Sequence, residues 1–222
     1  MPSSPHVVSI QVGRPRQFDS TEDADVGTGK PWESAIIKRP VSGPVSVFTE
    51  NIDGDHQADL VHHGGPDKAV CAYASERFGF WSQTYPEIDW RPGCFGENLT
   101  LSGLVEPDVC IGDTFKVGDC VLQISQPRQP CWKLSRRWYL PKLAVLVQQT
   151  RFTGWYFRVL QSGIIEAGNV MRLTDRQYPQ WSITAANDVM FAKPRDPARD
   201  RALADCPALS QSWRESLTQR AS

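Results

Sequence analysis

Residues 112–131 read GDTFKVGDCVLQISQPRQPC and carry the clearest structural signals in the chain. Two strand-like runs flank Gly118-Asp119, a dipeptide typical of tight turns, and together they predict a β-hairpin. The second run continues from Cys120 to about Ile124 with the pattern of a half-buried strand. The segment therefore predicts a β-rich fold.

Two prolines, Pro127 and Pro130, follow this strand and lead to Cys131. Each proline fixes its own φ and favours extended backbone in the residue before it, so the thiol is presented on a stiff path. Arg128 and Lys133 flank the thiol. Nearby positive charge favours the thiolate, the form that attacks substrates or binds metal. Cys131 is therefore a candidate metal ligand or nucleophile, and the alternative is a structural cysteine buried in the core.

The composition limits the class of protein. The chain has 222 residues, a net charge of -1 and 40% hydrophobic residues, which is enough for one sizeable core and a small appendage. The balanced charge argues against a nucleic-acid scaffold. No apolar run reaches the roughly 18 residues of a membrane span. The first residues, MPSSP, have neither the charged nor the apolar part of a secretory signal, so we expect none.

The cysteine spacing excludes several kinds of metal site. The six cysteines include no C-x-x-C pair, which argues against a zinc knuckle, a thioredoxin motif or a plant-type iron–sulfur cluster. We expect reduced thiols in a cytoplasmic protein, and we expect any metal to arrive inside a cofactor. The six are Cys71, Cys94, Cys110, Cys120, Cys131 and Cys206.

Many short strand patterns separated by glycine and proline turns precede residue 176, without a recurring strand–helix alternation. This texture predicts a closed β-barrel rather than a parallel sheet. Beyond residue 176, three short helices are predicted at 182–192, 196–205 and 209–220. We therefore predict a mainly β (α+β) fold, with a barrel domain and peripheral helices at 1–176 and a three-helix segment at 177–222.

A second candidate segment is His63-Gly64-Gly65-Pro66-Asp67-Lys68, at the end of a long polar loop. The glycine pair allows positive φ or close approach of the backbone to a ligand. His63 and Lys68 offer donors that suit an anion. The alternative is a plain turn whose histidine is satisfied by backbone carbonyls, which is the favoured interpretation for His62 alone.

Two further segments carry weaker signals. Gly96 permits a tight bend, and Glu97 and Asn98 supply polar groups just before a predicted strand; in isolation the pattern is typical of a turn. Lys38 and Arg39 follow a predicted apolar strand at 34–38. They form either a solvated pair or a phosphate contact.

Taken together, these segments resemble the MOSC-domain family, named for the C-terminal domain of molybdenum-cofactor sulfurases, and most of all its bacterial YiiM-like branch. The motifs follow the family's order from about residue 10 to 175. The chain departs from the branch at His62, which doubles a single histidine, and at Ala74, where proline is usual. The matching stretches are SAIIK at 34–38, GDHQAD at 54–59, HGGPDKA at 63–69, FGENL at 95–99, GD at 112–113, QPR at 126–128 with PC at 130–131, and GWY at 154–156.

The resemblance implies a barrel that holds a molybdenum cofactor through Cys131. It also implies reduction of N-hydroxylated compounds, such as 6-hydroxylaminopurine-type base analogues. Catalytic roles fall on Cys131, with His63 or Glu97 as proton donors. Because the cofactor carries a phosphate, cationic and polar side chains are expected around it. The predicted cofactor-binding residues are Lys38, Lys68, Asn98, Arg128 and Lys133.

The expected partners are a small N-hydroxylated substrate and a separate electron-donating reductase, since the chain lacks an iron–sulfur pattern of its own. We expect no nucleic acid, no membrane and no pyridoxal phosphate, and a homodimer is possible. Two other functions use the same cysteine. One is a non-redox sulfur or cofactor carrier with a persulfide on Cys131, and the other is a Cys–His hydrolase that pairs Cys131 with His63.

Overall fold

The computed structural model describes residues 4–19 and 31–221. Its strands are β1 (His6–Val12), β2 (Arg16–Phe18), β3 (Trp32–Ser34), β4 (Arg39–Pro40), β5 (Val45–Val47), β6 (Val70–Ala74), β7 (Leu99–Ser102), β8 (Thr114–Val117), β9 (Cys120–Pro127), β10 (Trp155–Gln161), β11 (Gly163–Ile165) and β12 (Arg172–Asp175). Its helices are α1 (Leu60–His63), α2 (Phe78–Thr84), α3 (Trp132–Trp138), α4 (Leu143–Thr150), α5 (Ile183–Met190), α6 (Pro197–Ala204) and α7 (Gln211–Ala221).

Eight of these strands form one curled sheet in the order β12-β8-β9-β10-β6-β7-β1-β4. The predicted hairpin is present, with Val117 opposite Cys120 across the β8–β9 turn. The two sides of the sheet approach each other where His6 of β1 bridges Val170, just ahead of β12. The predicted α+β fold with peripheral helices is therefore confirmed, and its sheet is a curled half-barrel, with β12 and β4 as edges, where the sequence predicted a closed barrel.

The main apolar core fills this curled sheet and continues into the C-terminal helices. Phe115 and Phe157 meet edge to face inside the sheet, with ring centroids 6.1 Å apart. Ile183, Trp213 and Leu217 of the C-terminal helices belong to the same buried cluster. Each fully buried large apolar side chain contributes about 1.5–3 kcal/mol. The C-terminal helices are therefore packed on the sheet as part of one core.

The C-terminal helices begin where the sequence provides caps. The Ser182 side chain accepts a hydrogen bond from the backbone of Ala185 at the start of α5. Asp196 caps α6 in the same way, with Pro197 at the first helical position. The three predicted helices correspond to α5, α6 and α7 within a few residues. The division of the chain at residues 176 and 177 stays a prediction.

A second apolar cluster lies between α2, α3 and α4, built around Tyr73, Trp81 and Phe95. Tyr73 stacks on Phe95 with centroids 4.1 Å apart. The indole nitrogen of Trp81 donates to the Tyr73 hydroxyl at 2.6 Å. This cluster fixes the residue before Gly96 and the helix that follows Cys131, so it supports two of the three candidate segments.

Several local predictions were wrong. The strand predicted at 34–38 ends at Ser34, and the chain rejoins the sheet only at Arg39–Pro40, opposite the end of β1. The long irregular loop at 52–66 contains the short helix α1. Helix α3 was not predicted at all, because its buried positions include polar Ser135 and Arg136. None of the helices in the described ranges is long and apolar enough to cross a membrane.

Candidate functional site

The candidate segments meet around a cavity with about 650 Å³ of empty space, including its open mouth. Its walls come from residues 34–38, 55–59, 63–68, 96–98 and 128–133, and from strands β6 and β10. Eight site residues were predicted from the sequence, and all except Glu97 line this cavity. The seven are Lys38, His63, Lys68, Asn98, Arg128, Cys131 and Lys133.

Cys131 lies directly before α3, in extended backbone that continues the path set by the two prolines. Its side chain is half-buried and faces the cavity, whereas the other five cysteines are buried. All six cysteines are free thiols. The placement differs from that of a core cysteine, because the sulfur is accessible from the cavity.

The glycine pair shapes the turn that carries Lys68. Gly65 has φ 88°, a conformation that other residues rarely adopt. A Cβ at Gly64 would lie 2.9 Å from the carbonyl oxygen of Leu60, so the backbone of α1 packs directly against it. Both glycines are therefore required by the turn. The side chain of His62 lies outside the described residues.

Gly96 and Glu97 build the opposite wall. Gly96 has φ 76°, and a Cβ there would meet the Ile36 side chain at 2.8 Å. The Glu97 carboxylate is fully buried behind this bend and accepts hydrogen bonds from the backbone N–H groups of Gly93 and Phe95 at 2.6 and 3.0 Å. A third comes from the hydroxyl of Thr100 at 2.9 Å. This position favours a role in holding the loop over the predicted role in donating protons.

Asn98 also has a structural role. Its side-chain oxygen accepts from the backbone of Cys71 at 3.1 Å, and its side-chain nitrogen donates to the carbonyl of Gln11 at 3.3 Å. It thereby joins β6 to β1 while its side chain borders the cavity.

Lys38 is held in place by Asp55, a residue that the sequence analysis did not single out. The two side chains form a buried ion pair. The same Asp55 oxygen accepts the backbone N–H of Gly13 at 2.7 Å. Asp55 belongs to the GDHQAD stretch at 54–59, which the sequence analysis quoted. Its pairing with Lys38 is visible only in the structure.

Cys71 and Tyr156 are two further cavity residues that sequence reasoning missed. They are direct cross-strand partners on β6 and β10. A hydrogen bond between their side chains affects both groups, and burial raises the pKa of Cys71 to about 11 and also raises the pKa of Tyr156. Both groups are therefore protonated near neutral pH. Tyr156 stands in the GWY stretch at 154–156, which was noted as a motif, but only the pairing of distant strands shows that it meets Cys71 at the cavity.

Arg128 is the least compensated charge in the site. Its residue is 7% exposed, and its Nη1 atom is buried without a hydrogen-bond partner among the described residues. Within the same part of the chain it makes no ion pair, although its backbone N–H donates to Gly154 at 3.1 Å. A buried guanidinium with a free donor is a strong recognition element for an anion.

Burial shifts the pKa of two further ionisable groups of the cavity. Burial lowers the pKa of His63 to about 4, helped by the charges of Lys133 and Arg128. Burial also lowers the pKa of Lys68, partly offset by Asp67 and Asp59. His63 is therefore neutral near pH 7 as long as no anion enters the cavity. The cavity therefore brings several cationic side chains together with the accessible thiol of Cys131.

Comparison with known proteins adds two matched regions. The family model described as the MOSC domain matches residues 59–172. The model described as the YiiM-like, 3-alpha helix domain matches residues 181–221. The first region runs from the end of the 55–59 cavity segment to the start of β12, and the second covers helices α5–α7.

Individual relatives agree with these models. Protein YflK of Bacillus subtilis is 42% identical over 218 residues, which cover 96% of this chain and 93% of that protein. A protein of Gibberella moniliformis named "Reductase" is 37% identical over 163 residues, which cover 72% of this chain but only 29% of that protein. The crystal structure of YiiM from Geobacillus stearothermophilus superposes with a TM-score of 0.81 at 39% identity, covering 98% of this chain and 100% of that one.

Proposed function

The chain belongs to the MOSC-domain family, and on that premise we propose that it is a molybdenum-cofactor-dependent reductase of N-hydroxylated compounds. The observation that carries this proposal is the presence of an accessible thiol, Cys131, in the same cavity as the unpaired guanidinium of Arg128. A soft ligand for a metal and a receptor for a phosphate are the two groups that such a cofactor requires.

The residues present fit that cofactor. The free Nη1 of Arg128 and the ammonium of Lys133 suit its phosphate, with Lys68 on the neighbouring wall. The Lys38 ammonium is paired with Asp55, so only its remaining N–H groups can donate to the cofactor. Cys131 would hold the metal. When bound, the cofactor supplies a two-electron reductant that also accepts oxygen.

The chain's own residues then bind the substrate and donate protons to it. Conversion of R–NH–OH to R–NH2 and water consumes two electrons and two protons. Burial keeps His63 neutral, with help from Lys133 and Arg128; a bound anion offsets the effect of these two charges, which raises the pKa of His63 and favours the imidazolium that can donate a proton. The Tyr156 hydroxyl stays protonated, because burial raises its pKa, and it can donate a hydrogen bond to the substrate on the cavity wall. Base analogues of the 6-hydroxylaminopurine type are the proposed substrates.

The electrons are proposed to come from a separate reductase protein. The fungal relative named "Reductase" supports this. The part that matches this chain is under a third of its length, so that protein has room for further domains, which could supply the electrons that a separate protein supplies here.

The proposal is tested with protein produced in a host that makes molybdenum cofactor. We expect bound molybdenum by elemental analysis and reduction of 6-hydroxylaminopurine with a chemically reduced viologen dye as donor. Cys131→Ala should abolish turnover without lowering the melting temperature, whereas Cys206→Ala, in the loop between α6 and α7, should retain turnover. Folded wild-type protein without molybdenum and without turnover would refute the proposal.

A sulfur or cofactor carrier is the second candidate, favoured by the accessibility of Cys131 relative to the other thiols. Its signature is a stable mass gain of one sulfur atom on Cys131 in protein that reduces no N-hydroxylated compound with any donor. A Cys–His hydrolase is less compatible with the site, because a histidine with a pKa of about 4 is a weak general base at neutral pH.

A further inference from the structure

The start of α7 and the loop before it lie against the back of the cavity wall. The backbone N–H of Gln211 donates to the Asp67 carboxylate at 3.0 Å. The Ser212 hydroxyl donates to the side-chain oxygen of Gln126 at 3.2 Å. Arg158 of β10 donates to the carbonyl of Ala208 at 2.9 Å. Three separate wall segments are therefore each bonded to the C-terminal helices.

Each of these contacts lies one or two residues from a side chain that lines the cavity. Asp67 immediately precedes Lys68, and Gln126 is two residues before Arg128. Arg158 is two residues after Tyr156. The C-terminal helices thus contact, from outside, the segments that carry the anion-binding groups.

Asp67 is the centre of this junction. One carboxylate oxygen accepts from Arg158 at 2.7 Å, and the other accepts from Gln211. Its backbone carbonyl accepts from the Ser125 hydroxyl at 2.5 Å. The turn that presents Lys68 is therefore fixed by β9, β10 and α7 at once.

We propose that the three-helix segment, through the Gln211–Asp67 hydrogen bond, positions the anion-binding wall of the cavity. The identification of the anion as the cofactor's phosphate rests on the proposed function, but the positioning itself does not. Its physical basis is that an anion site depends on donors held in fixed geometry, and a loop tied down at several points supplies that geometry.

The chain offers a selective perturbation of this contact. Gln211 is the first residue of α7, a position that accepts proline, and proline has no backbone N–H. Gln211→Pro removes the donor to Asp67, and Gln211→Ala keeps it. Both variants lose the side-chain bond from Gln211 to Glu215, so the N–H is the main difference between them. The Ser210 hydroxyl can still accept from Trp213 and cap the helix.

The experiment is calorimetric titration of cofactor-free protein with inorganic pyrophosphate, with thermal unfolding measured in parallel. We expect Gln211→Pro to bind pyrophosphate about fivefold more weakly than Gln211→Ala. Ser212→Ala tests the second contact should Gln211→Pro fail to fold. We expect it to bind about twofold more weakly than Ser216→Ala, a change on the same helix whose hydroxyl bonds only within α7.

Equal pyrophosphate affinity of each test variant and its control would overturn the inference, even if the melting temperature falls, because the segment would then only add stability. Failure of the wild-type protein to bind pyrophosphate would overturn it as well. Absence of molybdenum or of reductase activity, with the affinity differences intact, would instead refute the proposed function and leave the positioning role in place.

Discussion

Replacing Arg128 with methionine should stabilise the protein when no anion is bound. Arg128 is buried, pairs with no carboxylate among the described residues, and leaves Nη1 without a hydrogen bond. An unpaired ion taken out of water costs several kcal/mol, part of which the open cavity relieves. Methionine keeps the apolar stem and removes the charge. The buried Glu97 nearby retains its own three hydrogen bonds.

We expect Arg128→Met to raise the free energy of unfolding by about 2 kcal/mol in a buffer without multivalent anions. For a chain of this size, that corresponds to a rise of about 4–8 °C in melting temperature. In phosphate at about 100 times its dissociation constant, the wild type gains about 2.7 kcal/mol and the variant gains little. The order of stability should therefore reverse between the two buffers.

Thermal unfolding followed by circular dichroism measures both effects. Arg77→Met is the matched control, because Arg77 is paired with the buried Glu106 at 2.8 Å. Loss of that partner should destabilise the protein by about 3–5 kcal/mol in either buffer. A lower melting temperature for Arg128→Met than for the wild type in the anion-free buffer would refute the reasoning, since Arg128 would then be a stabilising residue.

Three other predictions address the same site. Asp55→Asn should destabilise the protein by about 3–5 kcal/mol in urea unfolding because it leaves Lys38 unpaired; Asp89→Asn, which breaks an exposed pair, should change stability by less than about 1 kcal/mol. NMR titration should give His63 a pKa near 4 without anions and a higher value with phosphate. Because the pKa of His63 is lowered on folding, its contribution to stability is complete above about pH 6.5 and is lost as the pH falls towards 4. A value near 6.5 in the anion-free protein would contradict the burial of His63 beside Lys133 and Arg128. Iodoacetamide should label Cys131 first in the native protein, and mass spectrometry showing another cysteine labelled as fast would contradict the placement of its sulfur.

Local sequence was sufficient wherever the signal depends on a few adjacent residues. The hairpin at Gly118-Asp119 follows from turn chemistry, and helices α5 and α6 follow from their caps at Ser182 and Asp196. The glycine pair before Pro66 likewise indicated a turn with special backbone geometry, which Gly65 adopts. In each case the physical cause lies within about four residues of the feature it determines.

Other features depend on residues far apart in the chain. The role of Glu97 could not be read from its motif, because the bend that holds its carboxylate is positioned by distant residues, with Phe95 stacked on Tyr73 and Gly96 packed against Ile36. Asp55 pairs with Lys38 across 17 positions, and Cys71 meets Tyr156 only through the register of β6 against β10. The sequence by itself indicated which short segments carry candidate functional side chains. Only the tertiary structure decided which side chains face the cavity, because long-range strand pairing and burial, rather than local preference, orient them.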